Sequence, residues 1–125
     1  MTIKIWFLGS FKVEINGLPI SIEKWKSKKA LTLFKYLSSH PGKRIPKDSI
    51  IELLWSDSCP ERSTHNLHTT IYNLRRSLFP TAKKGTDQSV ICYNNGLYWF
   101  NAPDGYHTDL EEFESLAHKS IQLKQ

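Results

Sequence analysis

Pro60–Pro80 reads PERSTHNLHTTIYNLRRSLFP, and this stretch decides the fold. At roughly 100° per residue, Leu67, Ile71, Leu74 and Leu78 fall on one apolar stripe of a long helix. Arg62, His65, Thr69, Tyr72, Asn73 and Arg76 fall on the opposite side, with one acid, Glu61, near the start. A merely solvated face would mix Glu and Lys at i,i+4 spacing. Hydrogen-bonding side chains combined with arginine are instead what a helix needs to meet base edges in a DNA groove.

Upstream, Ser58-Cys59-Pro60-Glu61 has the spacing of a capping box, with proline in the first turn where its missing N–H costs nothing. Pro80 ends the helix. Two shorter helices precede it. One begins near Ser27, with Ala30, Leu31, Leu33, Phe34 and Leu37 as its apolar face, and stops at His40-Pro41-Gly42. The other runs from about Lys47 to Trp55, with Ile50, Ile51 and Leu54 inward.

Strands flank the helical middle. Apolar residues alternate through Ile3–Leu8 and Phe11–Ile15, separated by Gly9-Ser10. Asn16-Gly17, the strongest short hairpin signal, leads to a third strand at Leu18–Ile22, with a further short strand expected near Trp25. After a polar loop over Thr81–Gln88, Ser89–Tyr93 and Leu97–Asn101 flank Asn94-Asn95-Gly96 as a second hairpin. Pro103-Asp104-Gly105 breaks the chain, and Asp109–Leu123 reads as a fourth helix with Leu110, Phe113, Leu116 and Ala117 on one side.

The totals fit one globular domain: 125 residues, 39% hydrophobic and 23% charged. No apolar run approaches the roughly 20 residues of a membrane span, and Met1 is followed by no signal-peptide pattern, so a cytoplasmic location is expected. Two cysteines, Cys59 and Cys92, make no disulfide framework. Net charge is +5, but Lys24–Lys84 holds 13 Lys or Arg against 4 Asp or Glu, whereas Asp104–Glu114 holds five acids and no Lys or Arg. A basic middle suits a polyanionic partner.

Three helices followed by a hairpin, the third helix long and basic, form the winged helix-turn-helix arrangement. With its leading sheet the chain resembles the OmpR/PhoB-type winged helix. It is more closely similar to the DNA-binding domain of SARP-type transcriptional activators. The matching residues are Leu8-Gly9-Ser10-Phe11 with Asn16-Gly17, Lys28-Lys29-Ala30-Leu31, Pro41-Gly42-Lys43-Arg44 and Leu53-Leu54-Trp55. Leu67-His68 and Leu74-Arg75-Arg76-Ser77-Leu78 continue the match, and Asp109-Leu110-Glu111-Glu112-Phe113 resembles the opening of the helical bacterial transcriptional activation domain. The expected fold class is α+β: an N-terminal antiparallel sheet, three helices and a C-terminal hairpin wing. Residues 1–103 form the winged helix and 104–125 a linker with the first helix of a following domain.

The resemblance implies that a recognition helix over about 60–79 lies in the major groove and a wing over about 89–101 lies near the minor groove. Asn73 and Thr69 are then the leading base-contact candidates, with Thr70 and Arg76 beside them, since Asn pairs bidentately with adenine and a Thr methyl meets thymine. Related winged helices often carry arginine where this chain has Asn73, so a guanine preference does not carry over. Tyr72 and Arg75 are phosphate candidates on the flank of the helix, and Arg62 and His65 near its start reach either target. Lys26, Lys28, Lys29 and Lys47 are either phosphate contacts at helix N-termini or ordinary solvated charges. Trp55 either donates its indole N–H to a phosphate or plugs the core. Asn94 and Asn95 form the wing tip, either at the DNA or as plain turn residues. Ser56–Ser58 corresponds to the loop that touches RNA polymerase in OmpR-like activators.

Catalysis is not expected. There is no phosphate-binding glycine loop, nucleophile elbow or paired-carboxylate pattern. His65 and His68, with Cys59 upstream, lack the further ligands of a zinc site, so no cofactor or metal is expected. The expected partner is double-stranded DNA, bound as direct repeats by molecules that are monomeric in solution and pair head to tail on the operator. Two other readings use the same fold: a protein-interaction winged helix, and the output domain of a phosphorylation-controlled response regulator.

Overall fold

The computed structural model describes residues 2–25, 27–56, 60–80, 90–110 and 113. The chain forms two compact units, one built from residues 1–22 with 103–125 and the other from residues 23–102.

The first unit is a four-stranded sheet, β3-β2-β1-β7, in which β1 is Thr2–Trp6, β2 Lys12–Ile15, β3 Leu18–Ile20 and β7 Gly105–Thr108. Register places Ile3 opposite Ile15 and Ile5 opposite Val13, so the alternation seen in the sequence delivers four buried residues to one face. Asn16 (φ 53°) and Gly17 (φ 80°) make the left-handed two-residue turn that a tight hairpin requires. Phe7 and Leu8 fall outside β1 because their main-chain N–H groups donate to the Asp109 carboxylate, at 2.8 and 2.9 Å.

The three N-terminal strands pair antiparallel as expected, and β7 adds a fourth that the sequence did not signal. β7 pairs parallel with β1, Ile3 opposite Tyr106 and Ile5 opposite Thr108, so the sheet is mixed and not wholly antiparallel. A boundary at 103 therefore separates segments that one sheet joins. Asp109, Leu110 and Phe113 are helical, while the remainder of the expected 109–123 helix lies outside the described residues.

The second unit contains α1 (Lys28–Ser38), β4 (Ile45–Pro46), α2 (Lys47–Trp55), α3 (Pro60–Leu78), β5 (Ile91–Asn94) and β6 (Leu97–Phe100). The expected strand near Trp25 is a 3₁₀ turn over Ile22–Lys24, beyond which the Trp25 ring packs 5.6 Å from that of Phe34. Ser27 caps α1, its Oγ accepting from the Ala30 N–H at 3.1 Å. Ala30, Leu33, Phe34 and Leu37 are buried along α1, and Leu67, Ile71, Leu74 and Leu78 along α3. Each large apolar side chain so buried contributes about 1.5–3 kcal/mol. Phe34 meets Phe100 of β6 edge-on at 6.1 Å, joining the helices to the second sheet, β4-β6-β5. Asn95 (φ 49°) and Gly96 (φ 76°) form the turn of the β5–β6 hairpin. α2 has no side-chain cap; its first N–H, from Lys47, donates to the Gly96 carbonyl at 2.9 Å, tying the helix start to the hairpin tip. The capping box at 58–61 and the 81–88 loop include residues outside the described set.

Candidate nucleic-acid interface

With its apolar stripe buried, α3 presents Arg62, His65, Thr69, Tyr72 and Arg76 as exposed residues and Asn73 as a half-buried one. Tyr72 is 63% exposed. This row supplies guanidinium, imidazole, hydroxyl and amide groups along one helix face, the set able to bond both base edges and phosphates.

Thr70 does not belong to that row. At 5% exposure it lies inward, three residues after Leu67 and four before Leu74, and is withdrawn as a base contact. Ser63, seven residues earlier, is also buried. Small hydroxyl side chains thus widen the stripe that four aliphatic residues alone appeared to define.

The phosphate candidates divide. Lys28 and Lys47 are exposed at the first positions of α1 and α2. Lys26 lies outside the described residues. Lys29 is engaged: its ammonium donates to the Leu54 carbonyl at 2.5 Å and lies 5.3 Å from the centre of the Trp55 ring. It satisfies a carbonyl in the last turn of α2, where a positive charge also suits the helix dipole. Trp55 beneath it is only 8% exposed, so most of its ring packs in the core.

Arg75 also departs from expectation. Its Nη2 donates to the Ile91 carbonyl of β5 at 2.6 Å, and its buried Nε has no hydrogen-bond partner among the described residues. The side chain that read as a free flank cation is partly committed to holding helix and hairpin together.

In the hairpin, Asn94 and Asn95 are exposed at the tip. Two residues missed in the sequence stand on its outer face. The Arg44 guanidinium lies over the Trp99 ring, 4.2 Å from its centre. A cleft of about 400 Å³ beside it is lined by Arg75, Cys92, Tyr93 and Trp99. Burial pushes the Cys92 thiol above its ordinary range, against the opposing charges of Arg75 and Arg44. Burial likewise raises the Tyr98 hydroxyl, helped by neighbouring Tyr93 and opposed by Arg75. The alternation of Leu97–Phe100 puts Trp99 opposite in face to Tyr98 and Phe100. Arg44 becomes its neighbour only through the pairing of β4 with β6.

Among the described residues no three His, Cys, Asp or Glu side chains group closely enough to hold a metal ion, and no helix is long and apolar enough to cross a membrane.

Residues 23–91 match the family described as "Transcriptional regulatory protein, C terminal". Among solved structures the chain is similar to one of Mycobacterium tuberculosis EmbR in complex with a low-affinity phosphopeptide, at 20% identity and a TM-score of 0.65. That likeness covers 84% of this chain and 26% of the other, so the chain spans about a quarter of that protein's length; at this identity it speaks to the fold. Curated protein sequences gave no significant match.

Proposed function

The chain belongs to the transcriptional regulatory protein C-terminal family of winged-helix DNA-binding domains, and on that premise we propose that α3 reads a specific duplex sequence from the major groove. The observation that carries this reading is the division of α3: four aliphatic residues are buried while Arg62, His65, Thr69, Tyr72 and Arg76 remain exposed. Asn73 and Thr69 supply the base contacts, with Arg76 at guanine or phosphate. Arg62, His65 and Tyr72 hold the backbone beside the groove, with Lys28 and Lys47 as outlying phosphate contacts. On this reading Asn94 and Asn95, exposed at the hairpin tip, lie near the minor groove. A protein-only docking module would favour an exposed apolar patch on α3, and its outer face is polar.

On this reading the chain is the N-terminal domain of a cytoplasmic bacterial activator of the SARP type. Its C-terminal helix continues into a helical activation domain, now taken to begin after Thr108. Two molecules bind direct repeats head to tail, and residues 56–58, of which 57 and 58 lie outside the described residues, contact RNA polymerase. The test is the salt dependence of binding to duplex DNA. Log K falls with log salt by about 0.9 per phosphate contacted. Absence of binding at low salt, or a flat dependence, contradicts the reading.

A further inference from the structure

We propose that the outer face of the β5–β6 hairpin carries an additional phosphate-binding residue, Arg44, held ready by Trp99. The inference rests on the DNA-binding reading above and extends its footprint beyond α3 and the hairpin tip.

Antiparallel register builds the site. Ile45 pairs with Tyr98, so the preceding Arg44 falls opposite Trp99, and Trp99 in turn pairs with Cys92. Ile45, Tyr98, Phe100 and Ile91 are buried on one face. Arg44, Trp99 and Cys92 alternate with them and form a row across the other. Arg75 from α3 closes the row at the β5 edge, through its hydrogen bond to the Ile91 carbonyl. A cation therefore stands at each end, with an indole and a thiol between. Both guanidiniums act on the Cys92 thiol, which places their charges around one spot.

Arg44 itself is exposed and makes no ion pair within the described residues. Its guanidinium carbon lies over the indole ring, 4.2 Å from the centre, a contact that restrains the side chain carrying the N–H edges. Less rotamer entropy then remains to be lost when those edges bond an anion. Among the described residues no carboxylate lines the adjoining cleft. The cleft touches α3 through Arg75, so a duplex seated on α3 carries its backbone towards the same face. Phosphate oxygens suit the planar fork of arginine. An acidic protein segment offers carboxylates instead, but nothing joins such a segment to α3, whereas a duplex engages both.

The experiment compares wild type, Arg44→Ala and Arg44→Lys on a random-sequence duplex between 50 and 200 mM salt, with thermal melting of each protein alongside. Losing one phosphate contact removes about 0.9 from the slope. The affinity deficit of Arg44→Ala should therefore shrink about threefold across that range. Arg44→Lys should recover the wild-type slope with intermediate affinity, and the melting temperatures should agree. Steep wild-type binding with an unchanged slope in Arg44→Ala overturns the role of Arg44 and leaves α3 standing. Failure of the wild type to bind duplex sinks the DNA reading itself. Arg44-dependent binding of poly-glutamate, with duplex binding unaffected, assigns the cleft to an acidic protein and also overturns the proposal.

Discussion

Arg75 of α3 donates a 2.6 Å hydrogen bond to the main-chain carbonyl of Ile91, so the third helix and the first strand of the hairpin are joined by a charged side chain. Ile91 is fully buried, and its carbonyl lies at the edge of the β4-β6-β5 sheet, where no further strand among the described residues supplies a donor. The bond fixes the hairpin against the C-terminal half of α3.

Arg75→Ala should therefore lower stability by about 1–3 kcal/mol, the cost of leaving a buried acceptor without its charged donor. Because its guanidinium is already bonded to Ile91, the salt slope on duplex DNA should fall by less than the one unit that a full phosphate contact carries. Denaturant titration beside binding isotherms separates the two effects. Unchanged stability would mean that the Ile91 carbonyl finds another donor.

Gly96 has φ 76°, and no atom outside its immediate neighbours lies within 4 Å of where a Cβ would stand. The penalty of Gly96→Ala is therefore conformational and not steric, about 1–2 kcal/mol for a left-handed position. It should move the denaturant midpoint down with an unchanged m-value. An unmoved midpoint would show that the turn relaxes to another type.

Both Tyr98 and Cys92 lose protons less readily in the fold than in the unfolded chain, chiefly through burial. The folded state then binds more protons wherever the unfolded chain has begun to release them. Stability from these groups is fully present below the unfolded values of about 8.5 for Cys and 10 for Tyr, and is lost as pH rises through the folded ones. Alkaline titration of melting temperature should show this decline, and Tyr98→Phe should make it shallower above about pH 10. An identical decline in wild type and Tyr98→Phe would place the alkaline sensitivity elsewhere.

Local pattern carried most of the fold. The stripe of Leu67, Ile71, Leu74 and Leu78, the Ser27 cap and the two Asn-Gly turns all act within a few residues, so the sequence displays them directly. What escaped depends on partners distant in the chain. β7 exists because Gly105–Thr108 pairs with β1, about a hundred residues earlier, and a four-residue strand that begins inside a Pro-Asp-Gly break carries no strand signal of its own. The candidate surface shows the same division. Helical geometry sorted Thr69 from Leu67, yet Thr70 read as polar and proved to be core, because a small hydroxyl fits where a longer side chain would not. Trp55 and Arg75 were recognised by type but not by bond: Lys29 lies over the first, and Ile91 accepts from the second. Arg44 was invisible as a surface element until β4 paired with β6.

The central claim is that the exposed face of α3 reads bases, and Asn73 is its most specific part. The decisive measurement is the affinity of wild type and Asn73→Ala for a site selected from random DNA and for an unselected duplex, at one salt concentration. The expected result is a loss of about 1–3 kcal/mol, or about 5- to 140-fold, on the selected site with little change on the unselected duplex. Equal losses on both duplexes, or none on either, would contradict it.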